Sequence, residues 1–105
     1  MGGLPERSNF HGSLHTDLSK EQVAELFRPL PAKVRKCAWD EFEVICPWAE
    51  LIVEAGSPIL LHGAVADVLT SAERLMGLLR EAGVRYSVEC FGEAGELLAE
   101  FRWPA

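Results

Sequence analysis

The chain has 105 residues, 49% of them hydrophobic and 25% charged, a globular mix that argues against disorder and suits one domain with its own core. No apolar run exceeds three residues; Ile59-Leu60-Leu61, for one, stops at His62, far short of the ~20 residues of a membrane helix. The net charge of −6 divides into +2 over residues 1–36 (six Lys and Arg, four acids) and −8 over residues 37–105 (four Lys and Arg, twelve acids), a balance that opposes phosphate backbones and argues against nucleic acid as a partner.

Residues 1–9 read as a flexible N-terminal segment of a single domain over 1–105. Residues 10–15, Phe-His-Gly-Ser-Leu-His, form a candidate strand that leads into a helix from Ser19 to about Arg28. Ser19 and Gln22 make a capping box, and Leu18 is placed to staple onto Val23. Val23, Leu26, Phe27 and Leu30 recur at helical spacing, and Pro29 and Pro31 end the segment. Strands follow at Lys33–Trp39 and Phe42–Cys46, with Asp40-Glu41 as the turn between them. The charges of Lys33, Arg35 and Lys36 suit a protected sheet edge. Pro47 ends the second strand or bulges it, and Ala49–Ala55 alternates as a third.

After the turn Gly56-Ser57-Pro58, Ile59–Val65 reads as a strand entering a helix over Asp67–Ala82. Asp67 competes as N-cap with a Thr70/Glu73 capping box, and the apolar stripe is Leu69, Ala72, Leu75, Met76 and Leu79. Gly83 suits the left-handed position past the last turn. The closing hairpin has the clearest pattern. Val84, Tyr86, Val88 and Cys90 share one face, and after Gly92-Glu93-Ala94-Gly95 so do Leu97, Ala99, Phe101 and Trp103. The fold class is therefore α+β, two helices packed on one side of a mostly antiparallel sheet of five to seven strands. The expected core holds Leu26, Phe27, Leu69, Leu75, Met76, Leu79, Val84, Tyr86, Val88 and Phe101.

Leu14-His15-Thr16 precedes the first helix much as Leu61-His62-Gly63 precedes the second. In element order the chain resembles the duplicated strand–helix–strand–strand unit of small bacterial ligand-binding domains of the effector-binding type. The resemblance implies a ligand-binding fold and carries no functional residues with it.

His15 and His62 are the candidate acid/base residues, because a pseudo-twofold relation of the halves would bring them together. His11 and His15 have an H-x-x-x-H spacing, but in an extended segment they lie ~13 Å apart and cannot share a metal, so no metal site is expected. No cofactor is expected either: P-loop, G-x-G-x-x-G, G-x-S-x-G and C-x-x-C patterns are absent from the sequence. Cys37, Cys46 and Cys90 are odd in number and far apart. Met1-Gly2-Gly3-Leu4-Pro5 lacks both the basic start and the apolar stretch of a signal peptide. Together these suggest free thiols and a cytoplasmic location. The excess of Arg over Lys hints at a GC-rich bacterial genome. Trp39, Trp48 and Trp103 are candidate interface anchors, and Glu50 and Glu89 candidate contacts for a cationic or amphipathic ligand.

The leading functional reading is a non-catalytic binding domain for a partner protein or small ligand, forming a homodimer through a sheet edge or face. A basic protein would suit the acidic part of the chain, and bacterial immunity proteins that neutralise toxins have such size and acidity. The rival is a small enzyme using His15 or His62 as general acid/base.

Overall fold

A computed structural model describes residues 4–38 and 40–105. Seven strands and two helices follow in the order β1 (Phe10–His15), α1 (Lys20–Glu25), β2 (Lys33–Ala38), β3 (Glu41–Cys46), β4 (Ala49–Glu54), β5 (Ile59–Val65), α2 (Val68–Glu81), β6 (Arg85–Phe91) and β7 (Leu97–Trp103). All strands join one antiparallel sheet in the order β2-β3-β4-β5-β1-β6-β7. This is the expected α+β class, with the sheet dominant. No helix among the described residues is long and apolar enough to cross a membrane.

Both helices lie on one face, and strand periodicity sends the apolar residues to them. One core row crosses the whole sheet: Val34, Val44, Leu51, Gly63, Phe10, Cys90 and Ala99 are successive cross-strand partners. Val23, Ala24 and Phe27 from the first helical region close over this face, as do Val68, Ala72, Leu75, Met76 and Leu79 of α2. At Gly63 the row has no side chain, because a Cβ there would fall 2.0 Å from the Glu50 carbonyl oxygen.

The capping box of α1 is present in both directions, Ser19 Oγ accepting from the Gln22 amide at 3.1 Å and Gln22 Oε1 accepting from the Ser19 amide at 2.9 Å. The regular helix is shorter than the spacing predicts. From Leu26 the chain tightens into turns with i→i+3 bonds, since Pro29 has no N–H and disfavours a helical Arg28. In α2 the N-cap is Asp67, which has φ 48° and makes no side-chain cap bond; Thr70 is already inside the helix. At the other end Gly83 (φ 73°) completes a Schellman motif, with the Val84 amide on the Leu79 carbonyl at 2.9 Å.

Three expectations about the core are corrected. Leu69 is 48% exposed, because a helix starting at Val68 turns the stripe 68, 71–72, 75–76, 79 inward. Ser71 takes the inward place, its hydroxyl donating to the Ala66 carbonyl at 2.7 Å. Leu26 and Phe101 are only half-buried against the core. Glu41 belongs to β3 rather than to the preceding turn.

Candidate functional site

With both helices on one side, the other face of the sheet is left open, and every second residue along each strand points there. Its middle row again crosses all seven strands: Arg35, Glu43, Ile52, His62, His11, Glu89 and Glu100 stand side by side. Beside it run Glu41, Glu54, Leu60, Ser13, Ser87 and Arg102. Residues 4–8 lie along one margin of this face, enclosing a cavity of about 320 Å³ with Glu43, Glu50, Ile52 and His62 among its walls.

At the centre, β1 and β5 place His11 directly opposite His62. The two rings stack with centroids 6.2 Å apart and planes 15° from parallel. Phe91 abuts His11 edge-on at 5.3 Å, and Glu54 bonds Nε2 of His62 from the neighbouring strand. Glu89 is the cross-strand partner of His11 on its other side. The centre of the face is thus an imidazole pair flanked by two carboxylates. It borders a shallow pocket of about 240 Å³ that Ser13, Leu60 and Ser87 complete.

This register is held by Asn9, just ahead of β1. Its side chain bonds both backbone groups of Val65 at 2.8 Å, and its carbonyl accepts from the Phe91 amide at 2.9 Å. The clasp ties β1 between β5 and β6, and so decides which histidine meets His62.

The expected pairing of His15 with His62 is not what the sheet brings together. His15 lies four residues further along β1, opposite Arg85, ~13 Å from the His11 position. Glu50 and Glu89 are exposed on the open face, on either side of the imidazole pair. Trp48 and Trp103 are half-buried against the core, on the helical side. Arg74 of α2 sits 4.7 Å over the Trp48 ring, and Trp103 stacks on Tyr86 at 6.2 Å. Trp39 lies outside the described residues. In the sequence His11 is weighed for a metal shared with His15 and not as the partner of His62, although its parity with His15 already placed it on the same face.

Of the cysteines, Cys46 and Cys90 are buried and Cys37 is exposed. Burial pushes the Cys90 thiol up. The Cys37 thiol is also raised, by local desolvation first and then by the carboxylates of Glu43 and Glu41. No group of three or more His, Cys, Asp or Glu side chains among the described residues is arranged to hold a metal ion. Compared with known proteins, the chain matches no family model, no curated sequence and no solved structure.

Proposed function

We propose that the chain is a non-catalytic binding domain that receives a basic partner protein on the open face of its sheet. One observation carries this reading: a broad sheet face that neither helix covers and that, among the described residues, only residues 4–8 overlie at one margin, on which Glu50, Glu54 and Glu89 surround the central imidazoles while Ile52, Leu60 and Phe91 lie between them. Such a mixture of carboxylates and isolated apolar side chains complements lysine and arginine with their long aliphatic stems. Shape favours a protein over a small ligand. The central pocket of about 240 Å³ is below the ~300 Å³ at which ligand pockets begin, and the cavity of about 320 Å³ at the margin only just reaches it. Seven strands at ~4.8 Å spacing and ~20 Å length instead project on the order of 600 Å², close to the ~800 Å² one partner gives to a standard interface. A cytoplasmic setting and a bacterial origin fit the same reading, and nucleic acid does not.

The test is an NMR titration of the full chain with a lysine-rich peptide at low and moderate salt. Salt-sensitive shifts should concentrate on β1, β4, β5 and β6 at open-face positions, and the E50Q/E54Q/E89Q variant should bind several-fold more weakly. Shifts on the helical face, or equal affinity of the variant, would reject the reading.

The enzyme alternative keeps one supporting observation, the hydrogen bond by which Glu54 orients the His62 ring. Against it, neither Ser13 nor Ser87 beside the pair is hydrogen-bonded to an imidazole among the described residues, so neither is activated there as a nucleophile. His15, away from this pair, contributes nothing to such a site.

A further inference from the structure

The two edges of the sheet differ in a way that selects a partner. Along β2 the edge carries Lys33, Arg35 and Lys36, so pairing it with a copy of itself would bring like charges together. The β7 edge has no such guard between Ala99 and Trp103. Its charges are one of each sign, Glu100 and Arg102, and neither has an ion-pair partner within 4 Å among the described residues.

Which backbone groups of β7 are free follows from the ladder. The Phe91 amide donates to Asn9, so it faces β1. Alternation along an antiparallel strand then turns Tyr86, Val88 and Cys90 toward β7. Their partners Trp103, Phe101 and Ala99 spend their N–H and C=O groups on β6. Glu100 and Arg102 therefore aim theirs outward, where no strand lies.

From this we infer that β7 pairs antiparallel with β7 of a second copy of the chain, with Phe101 of each strand on the twofold axis. Outward-facing residues can pair only with outward-facing residues, which leaves three registers overlapping within Ala99–Trp103. Centring on residue 100 sets two glutamates against each other, and centring on residue 102 sets two arginines. Centring on Phe101 places Glu100 opposite Arg102 twice. That register forms four backbone hydrogen bonds and two opposite-charge pairs. On the helical face it lays Phe101 against its own copy and Ala99 against Trp103. The product is one continuous fourteen-stranded sheet whose two open faces lie side by side. The exposed Leu97 and Leu98 at the bulge beyond end the pairing there, as bulges at sheet edges do.

Sedimentation equilibrium of the full chain, from low micromolar to millimolar concentration, tests this without reference to open-face binding. Wild type should be a dimer in reversible equilibrium. E100R and R102E should each weaken it about tenfold or more, since each turns both attractive pairs repulsive. An equimolar mixture of the two variants should regain association as a heterodimer, and the E100R/R102E double variant as a homodimer. If either charge variant loses its fold by circular dichroism, Glu100→Pro removes one outward N–H that the monomer does not use and should also give monomer. A wild-type monomer throughout, a dimer indifferent to these changes, or variants that fail to complement each other would overturn the inference.

Discussion

Replacing Gly63 with alanine probes the contact on which the open face depends. The added Cβ would stand 2.0 Å from the Glu50 carbonyl oxygen and 2.9 Å from the Leu51 Cα. Both are backbone atoms of the paired strand, so no side-chain rotation relieves the clash. Overpacking a core ordinarily costs about 1–3 kcal/mol, and a clash with backbone belongs at or above the top of that range. We expect a loss of about 3 kcal/mol, a large part of the roughly 5–15 kcal/mol that stabilises a domain. With a urea slope near 1.5 kcal/mol per molar, the midpoint should fall by about 2 M. Because β4 and β5 must separate to admit the methyl group, the bond between Glu54 and His62 should weaken as well, and the His62 imidazole resonances should move. Gly77 is the control. It lies inside α2, where the nearest atom to an added Cβ is Arg80 Nη2 at 3.8 Å, so Gly77→Ala should stabilise by about 0.5–1 kcal/mol. A Gly63→Ala loss below about 1 kcal/mol would refute the packing of β5 against β4 described above.

Other outcomes follow from single contacts. Asp67→Gly should leave stability unchanged or raise it by about 0.5–1 kcal/mol in thermal melts, because Asp67 has φ 48° and no side-chain cap bond to lose; a loss above 1 kcal/mol would mean the carboxylate caps α2 after all. His11→Asn should shift the His62 ring resonances while His15→Asn leaves them in place, and the reverse would put His15 beside His62. A thiol reagent should label Cys37 in the folded protein, and more slowly than a small free thiol, since desolvation and then Glu43 and Glu41 disfavour its thiolate. Cys46 and Cys90 should react only on unfolding, and their prompt labelling would contradict their burial. Phe101→Ala should cost about 1.5–3 kcal/mol in urea unfolding, below the 3–5 kcal/mol of a fully enclosed phenylalanine, because Phe101 is half-buried on an edge strand.

How far the fold could be read depended on whether the signal was local. The closing hairpin was legible over Ala99–Trp103, because strand parity alone sorts Tyr86, Val88 and Cys90 from Arg85, Ser87 and Glu89; Leu97 departs from the expected face, since a bulge ahead of Ala99 pairs it with Phe91 and leaves it exposed. The Ser19 capping box was legible because both partners lie within four residues. Phase in α2 was not, because an inward Ser71 satisfied by the Ala66 carbonyl looks polar in sequence, while an outward Leu69 looks apolar. The candidate site failed at one more remove. Parity put His11, Ser13 and His15 on one face, but which of them meets His62 is a matter of register between strands some fifty residues apart. The Asn9 clasp on Val65 and the fit of Gly63 opposite Phe10 decide that register, and neither has a local pattern.

The open face and the free edges of the sheet meet different physical demands. A sheet with both helices on one side must keep its other face compatible with water, and here that face keeps Glu43, Glu50, Glu54, Glu89 and Glu100, Ser13 and Ser87, and all three histidines. Polarity there is the condition for a stable monomer, so it does not by itself imply a ligand. What exceeds that condition is the grouping of Glu54, Glu89 and two stacked imidazoles around partly exposed Ile52 and Leu60. The edges pose a separate demand, since unpaired backbone invites association regardless of side-chain polarity. β2 meets it with like charges that repel a copy. β7 carries Glu100 and Arg102 two residues apart, a spacing that antiparallel pairing with a copy turns into attraction. Association at β7 and binding on the open face therefore have separable causes, and the charge swap at residues 100 and 102 alters the first while leaving Glu50, Glu54 and Glu89 in place.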